Sequence, residues 1–82
     1  LAGATALTHA GLVAYWQRQA QEALYEVETA KLTLESYKDS DTATAVFGPH
    51  YQERIERYRE RLQHINVRLL QLDPDARPFG ES

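Results

Sequence analysis

The stretch "YQERIERYRERLQHINVRLLQL", from Tyr51 to Leu72, carries many charges, yet its apolar residues recur at a helical spacing. Steps of four and three residues alternate along it, which is typical of helices that pack side by side. The members of this stripe are Tyr51, Ile55, Tyr58, Leu62, Ile65, Leu69 and Leu72. The stretch therefore predicts an amphipathic helix with one packing face.

Two prolines suggest where this helix begins and ends. Pro49 comes two residues before Tyr51, and the fixed φ of proline suits the first turn of a helix. Gly48 before it permits a sharp chain reversal. Pro74 follows Asp73, and a residue before proline avoids the α region. The sequence therefore predicts a second helix over residues 50–72.

The first half of the chain carries a matching stripe. Its members are Val13, Trp16, Ala20, Ala23, Val27, Ala30, Leu34 and Tyr37. Alanines make this face narrow, so the helix over residues 12–37 can approach the bulkier face of the second helix closely. We predict a mainly α fold, an antiparallel two-helix hairpin. In the alternative, each helix packs on another chain.

The connecting segment "KDSDTATAVFGP", residues 38–49, is open to two interpretations. It could be an extended loop that folds over the end of the hairpin. It could also form one arm of a short β-hairpin with residues 31–37, because both segments alternate in polarity. Residues 1–11 and 73–82 lack periodicity and are predicted to be extended arms. The whole chain, residues 1–82, is predicted to be a single small helical domain.

Composition excludes several classes of function. The 82-residue chain has no Cys, so disulfides and thiolate metal sites are absent. A formal charge of -3 gives no general attraction to nucleic acid, which we do not expect as a specific ligand. No apolar run approaches the roughly 18 to 20 residues that span a bilayer, so no membrane partner is predicted. A core this small rarely supplies more than about 3 to 5 kcal/mol, which favours homo-oligomerisation.

Candidate chemistry is sparse. Glu60 and His64 share a helix face and could share a metal ion, but no third ligand has a comparable spacing. No nucleophile motif or phosphate-binding glycine loop is present. The sequence predicts no enzyme, catalytic residue, metal or cofactor. Arg54, Arg61 and Arg68 recur every seven residues beside the stripe, where such charges commonly select a partner helix.

Several apolar residues lie off the packing stripes and suggest protein contacts. The candidates are Tyr25, Leu32, Val67, Leu70 and, in the C-terminal arm, Phe79. A two-helix hairpin has one inner face, so another chain would have to cover residues outside it. The alternative is that a terminal arm folds back over them. The N-terminal arm carries Leu1 and Leu7, which could also order on binding.

Residues 23–62, "ALYEVETAKLTLESYKDSDTATAVFGPHYQERIERYRERL", resemble the small phage head-completion, or head-tail joining, proteins of the lambda gpW kind. The matching elements are an Ala-rich helix, two alternating segments around a "KDSD" turn, and a second amphipathic helix. The resemblance implies a virion protein that forms a ring against the portal, with portal or tail components as partners. The rival interpretation is a cytoplasmic regulatory or adaptor module that binds a partner helix.

Overall fold

The computed structural model describes residues 8–80, which form two long helices joined by a tight turn. Helix α1 spans His9–Ser36 and helix α2 spans Asp41–Leu72, and the two pack against each other as an antiparallel hairpin. No strand occurs in the described range, so the prediction of a mainly α hairpin is confirmed. Neither helix is long and apolar enough to cross a membrane. Leu1 and Leu7 of the predicted N-terminal arm lie outside the described residues.

Helix α1 begins three residues earlier than predicted because Thr8 caps it. The Thr8 hydroxyl accepts a hydrogen bond of 2.9 Å from the backbone N–H of Gly11, which satisfies one of the free donors of the first turn. The helix ends at Ser36, beside the turn that Tyr37 begins. The predicted range of residues 12–37 is therefore shifted by a few residues at its start.

Helix α2 corrects the prediction for residues 38–49, which form neither a long loop nor a β-hairpin arm. The helix begins at Asp41, and the Ser40 hydroxyl caps it by accepting a hydrogen bond of 3.2 Å from the N–H of Ala43. Pro49 therefore lies inside the helix rather than before it. Proline inside a helix removes one backbone hydrogen bond and crowds the carbonyl four residues earlier. The helix continues past it because Gly48 has no Cβ to clash with the proline ring.

Contacts with the turn hold the first part of α2 in place. The Thr44 hydroxyl donates a hydrogen bond of 2.8 Å to the backbone carbonyl of Tyr37. The ring of Phe47 stacks on that of Tyr37 with centroids 5.5 Å apart, and Tyr51 lies 6.2 Å from the same ring. These tertiary contacts override the local preference of a Gly-Pro pair for a helix start. We call Tyr37, Phe47 and Tyr51 the turn-end aromatic cluster.

The core is a seam between a small-residue face of α1 and a bulky face of α2, as the stripes predict. It has an open-end part, near the start of α1 and the end of α2, and a turn-end part. The buried residues of the open-end part are Ala20, Ala23, Leu62, Ile65 and Leu69, with Val13, Trp16, Leu24 and Tyr58 packed against them. The buried residues of the turn-end part are Val27, Ala30 and Ile55, with Leu34, Tyr51 and Tyr58 packed against them.

The C-terminal segment, residues 73–80, folds back onto this seam, which corrects the prediction of an extended arm. Asn66 makes two hydrogen bonds to the backbone of Phe79: its amide donates to the carbonyl at 3.0 Å and its side-chain oxygen accepts from the N–H at 2.9 Å. The side chains of Ala76 and Phe79 pack against the open-end part of the core. The segment is therefore a third layer over one edge of the hairpin.

Candidate protein-binding surface

The outer faces of both helices carry large apolar side chains that the described part of the chain leaves in solvent. Tyr25 and Leu32 on α1 are 68% and 71% exposed, and Val67 and Leu70 on α2 are more than half exposed. These four residues are the interface candidates that the sequence placed off the packing stripes. Their positions agree with that placement, since the C-terminal segment does not bury them.

Three further exposed apolar residues were not among the sequence candidates: Tyr15, Val46 and Phe47. Val46 and Phe47 were assigned to a loop, so their helical positions could not be used. Tyr15, by contrast, could have been identified from its spacing in the sequence. It lies ten residues before Tyr25, which puts both on a second stripe of α1 with alternating steps of three and four. We call this the outer stripe of α1, composed of Tyr15, Arg18, Glu22, Tyr25, Thr29 and Leu32.

On α2, Val67 and Leu70 lie beside the folded C-terminal segment and share a shallow groove with it. The groove has a volume of about 360 Å³. Its lining is mainly apolar and consists of Gln63, Asn66, Val67, Leu70, Ala76 and Pro78. Since the Asn66 amide holds the segment in place, the shape of this groove depends on the tail contact. We call Val67 and Leu70 the α2 outer patch.

Phe79 differs from the other interface candidates because the chain itself covers part of its ring. It packs against the open-end core, and the following residue, Gly80, has a positive φ of 78° that brings the chain close to Leu62. A Cβ at Gly80 would lie 2.8 Å from Leu62 and 3.3 Å from Leu24, so no larger residue fits there without movement. The structure thus gives Phe79 a packing role that the sequence interpretation missed.

The arginine row lies along one edge of the seam, where two of its members contact α1. Arg54 forms an ion pair of 2.6 Å with Glu26, and Arg61 donates a hydrogen bond of 3.0 Å to the side-chain oxygen of Gln19. The hydrogen bond to the Glu26 carboxylate, followed by its charge, raises the pKa of Arg54 above its usual value. The guanidinium of Arg54 also lies 5.6 Å from the ring centroid of Tyr58. Such flanking contacts favour this antiparallel alignment of the helices.

Towards the open end, the same edge holds a basic groove of about 490 Å³. Its lining consists of Tyr15, Trp16, Gln19, Arg61, His64, Ile65 and Arg68. Arg61 and Arg68 each donate a hydrogen bond to a glutamine, and neither is ion-paired within residues 8–80. The indole N–H of Trp16 is buried with no acceptor in the same range. An unpaired buried donor of this kind costs about 1 to 3 kcal/mol.

Across residues 8–80, no three histidine or carboxylate side chains come together in a way that could hold a metal ion. Glu60 and His64 both lie on the exposed side of α2.

Comparisons with known proteins identify no relative of this chain. No family model matches the chain, and neither a curated protein nor a solved structure matches it.

Proposed function

We propose that this protein is a non-enzymatic structural subunit that binds other protein chains through the outer faces of its hairpin. The observation that carries the proposal is the exposure of Tyr25, Leu32, Val67 and Leu70 on opposite sides of one thin helical unit. Apolar surface that a monomer leaves in water is favourable to bury against a partner, at about 25 cal/mol per Å². Two separate apolar faces let one subunit contact two neighbours.

The particular assembly that we propose is a phage head-tail connector, in which copies form a ring against the portal. The support is the resemblance of residues 23–62 to head-completion proteins, together with the small helical unit and the spare apolar surface. Head-completion proteins of that kind have a short β-hairpin between their two helices. It has no counterpart here, since residues 31–47 are helix, turn and helix. The resemblance therefore rests on the two helices, and the α2 outer patch is the face that we assign to the portal.

A second candidate, an adaptor that binds one partner helix, is favoured by the spacing of Tyr25 and Leu32. These residues are seven apart on α1, which is the repeat that a partner helix in a coiled coil would contact. The two candidates differ in stoichiometry. A connector binds in many copies to a ring of portal subunits, whereas an adaptor binds one helix per hairpin.

The test is native mass spectrometry of the purified chain, alone and with a purified portal protein from the same genome. We expect a complex containing many copies of the chain. Val67→Glu, which puts a charge on the α2 outer patch, should abolish it, whereas Gln52→Glu, an equal charge at an exposed site near the turn, should leave it intact. Absence of any complex with the portal protein rules out the connector that we propose. A complex unaffected by Val67→Glu assigns the contact to another face.

A further inference from the structure

We infer that the outer stripe of α1 is a self-complementary surface that pairs with the same stripe of a second copy, antiparallel and around a two-fold axis. The inference goes beyond the proposed function, because it names the occupant of one face and its register. The central residues of the stripe are Tyr15, Arg18, Glu22 and Tyr25, which are spaced three, four and three apart. This spacing keeps all four on one solvent-exposed face of α1, whose edge borders the grooves between α1 and α2.

The register follows from the positions of these four residues. The midpoint between Arg18 and Glu22 is residue 20, and the midpoint between Tyr15 and Tyr25 is the same residue. A two-fold axis at that level sets Arg18 of one copy opposite Glu22 of the second, and repeats the contact in reverse. The same operation sets Tyr15 opposite Tyr25 on both sides of the charged pairs. A single axis therefore satisfies both charge and aromatic contacts.

The charges of the stripe are free for such a contact within the described residues. Neither Arg18 nor Glu22 forms an ion pair anywhere in residues 8–80, and both are exposed. Tyr15 and Tyr25 are 50% and 68% exposed, so each has ring surface that a second copy would cover. A groove of about 370 Å³ beside the stripe, lined in part by Glu22, Tyr25 and Tyr58, gives room for a side chain from that copy.

The charges also disfavour competing arrangements. A parallel pair in register would bring Arg18 against Arg18 and Glu22 against Glu22, and like charges placed opposite each other weaken an interface. An antiparallel pair with its two-fold axis at Arg18 would place Arg18 against Arg18, and one with its axis at Glu22 would place Glu22 against Glu22. Both arrangements therefore have like charges at their centre. Polar residues at the core of a helical interface are a known means of fixing register and orientation.

The outer face of α2 lacks this self-complementary pattern of charged and aromatic residues. The equivalent positions on α2 are occupied by Glu53, Arg57, Glu60 and His64. Arg57 is already ion-paired with Glu53 at 2.9 Å, and no aromatic residue flanks the group. The self-complementary pattern thus belongs to α1. Since a two-fold contact closes after two copies, it leaves the α2 outer patch free for a different partner.

The experiment uses charge exchange, measured by sedimentation velocity from about 1 µM to about 1 mM, the range of weak specific interfaces. The unaltered chain should show a reversible monomer–dimer equilibrium. Arg18→Glu alone and Glu22→Arg alone should each weaken it by at least about tenfold, because each creates a like-charge contact. An equimolar mixture of the two variants should associate again, and so should the chain that carries both substitutions.

Circular dichroism of each variant confirms that the helices remain formed, and Glu60→Arg on the outer face of α2 is the matched control. An unaltered chain that stays monomeric across the range overturns the inference. So does self-association that Arg18→Glu leaves unchanged, or single variants that fail to associate when mixed. None of these results bears on the connector proposal, since binding of a portal protein is measured separately and through Val67.

Discussion

The two ends of the hairpin are held together in different ways. At the turn end the helices are covalently connected, and three buried residues with the turn-end aromatic cluster complete the packing. At the open end no connection exists, and there the buried cluster has five residues and a third layer, the C-terminal segment. Helix ends tend to fray when nothing restrains them. Tertiary packing is therefore concentrated at the end of the hairpin where no turn connects the two helices.

The largest expected effect tests the open-end core against the turn-end core. Leu62 and Ile55 are similarly buried, at 7% and 8% exposure, but Leu62 belongs to the cluster on which Phe79 of the C-terminal segment packs. We expect Leu62→Ala to lower the free energy of unfolding by about 2 to 5 kcal/mol, and Ile55→Ala by an amount nearer the bottom of that range. Urea denaturation followed by circular dichroism measures both.

The control for this pair is Glu60→Ala on the exposed side of α2, which should change the free energy of unfolding by no more than about 0.5 kcal/mol. If Ile55→Ala lowers the free energy of unfolding as much as Leu62→Ala does, the two ends contribute equally to stability, contrary to our expectation.

A smaller effect is expected from removing the third layer. Phe79→Ala deletes a partly buried ring that packs on the open-end core, so we expect a loss of about 1 to 3 kcal/mol. For a domain of this size, 1 kcal/mol corresponds to a decrease in Tm of about 4 to 8 °C. Thermal unfolding followed at 222 nm measures it, with Arg77→Ala at a neighbouring exposed residue as control. An unchanged Tm for Phe79→Ala would mean that the segment is not packed in solution.

The smallest effect is expected at the turn end, and its sign is opposite. Pro49→Ala restores a backbone N–H donor inside α2 and removes the ring from the helical ladder. We expect stabilisation of about 1 to 2 kcal/mol, less than the full helix penalty of proline because the unfolded chain becomes more flexible. The measurement is the same thermal transition, with His50→Ala as the neighbouring control. Destabilisation by Pro49→Ala would restore the interpretation in which the second helix begins at the proline.

Part of the candidate surface was predictable from the spacing of residues alone. The positions of Tyr25 and Leu32 relative to the packing stripe already required them to face away from α2, because helical periodicity fixes the direction of a side chain. Tyr15 could have been added by the same reasoning. Phe79 could not be assigned in this way, since no local pattern shows that Asn66 holds its backbone from thirteen residues away.

Residue spacing is enough to predict that two helices form, which of their faces meet, and that small side chains of α1 oppose large ones of α2. The start of α2 at Asp41 and its passage through Pro49 depend instead on tertiary contacts, since stacking of Phe47 on Tyr37 outweighs a local breaker. The return of residues 73–80 to the core depends on tertiary contacts as well. Both outcomes depend on contacts between residues whose proximity exists only after the helices have packed.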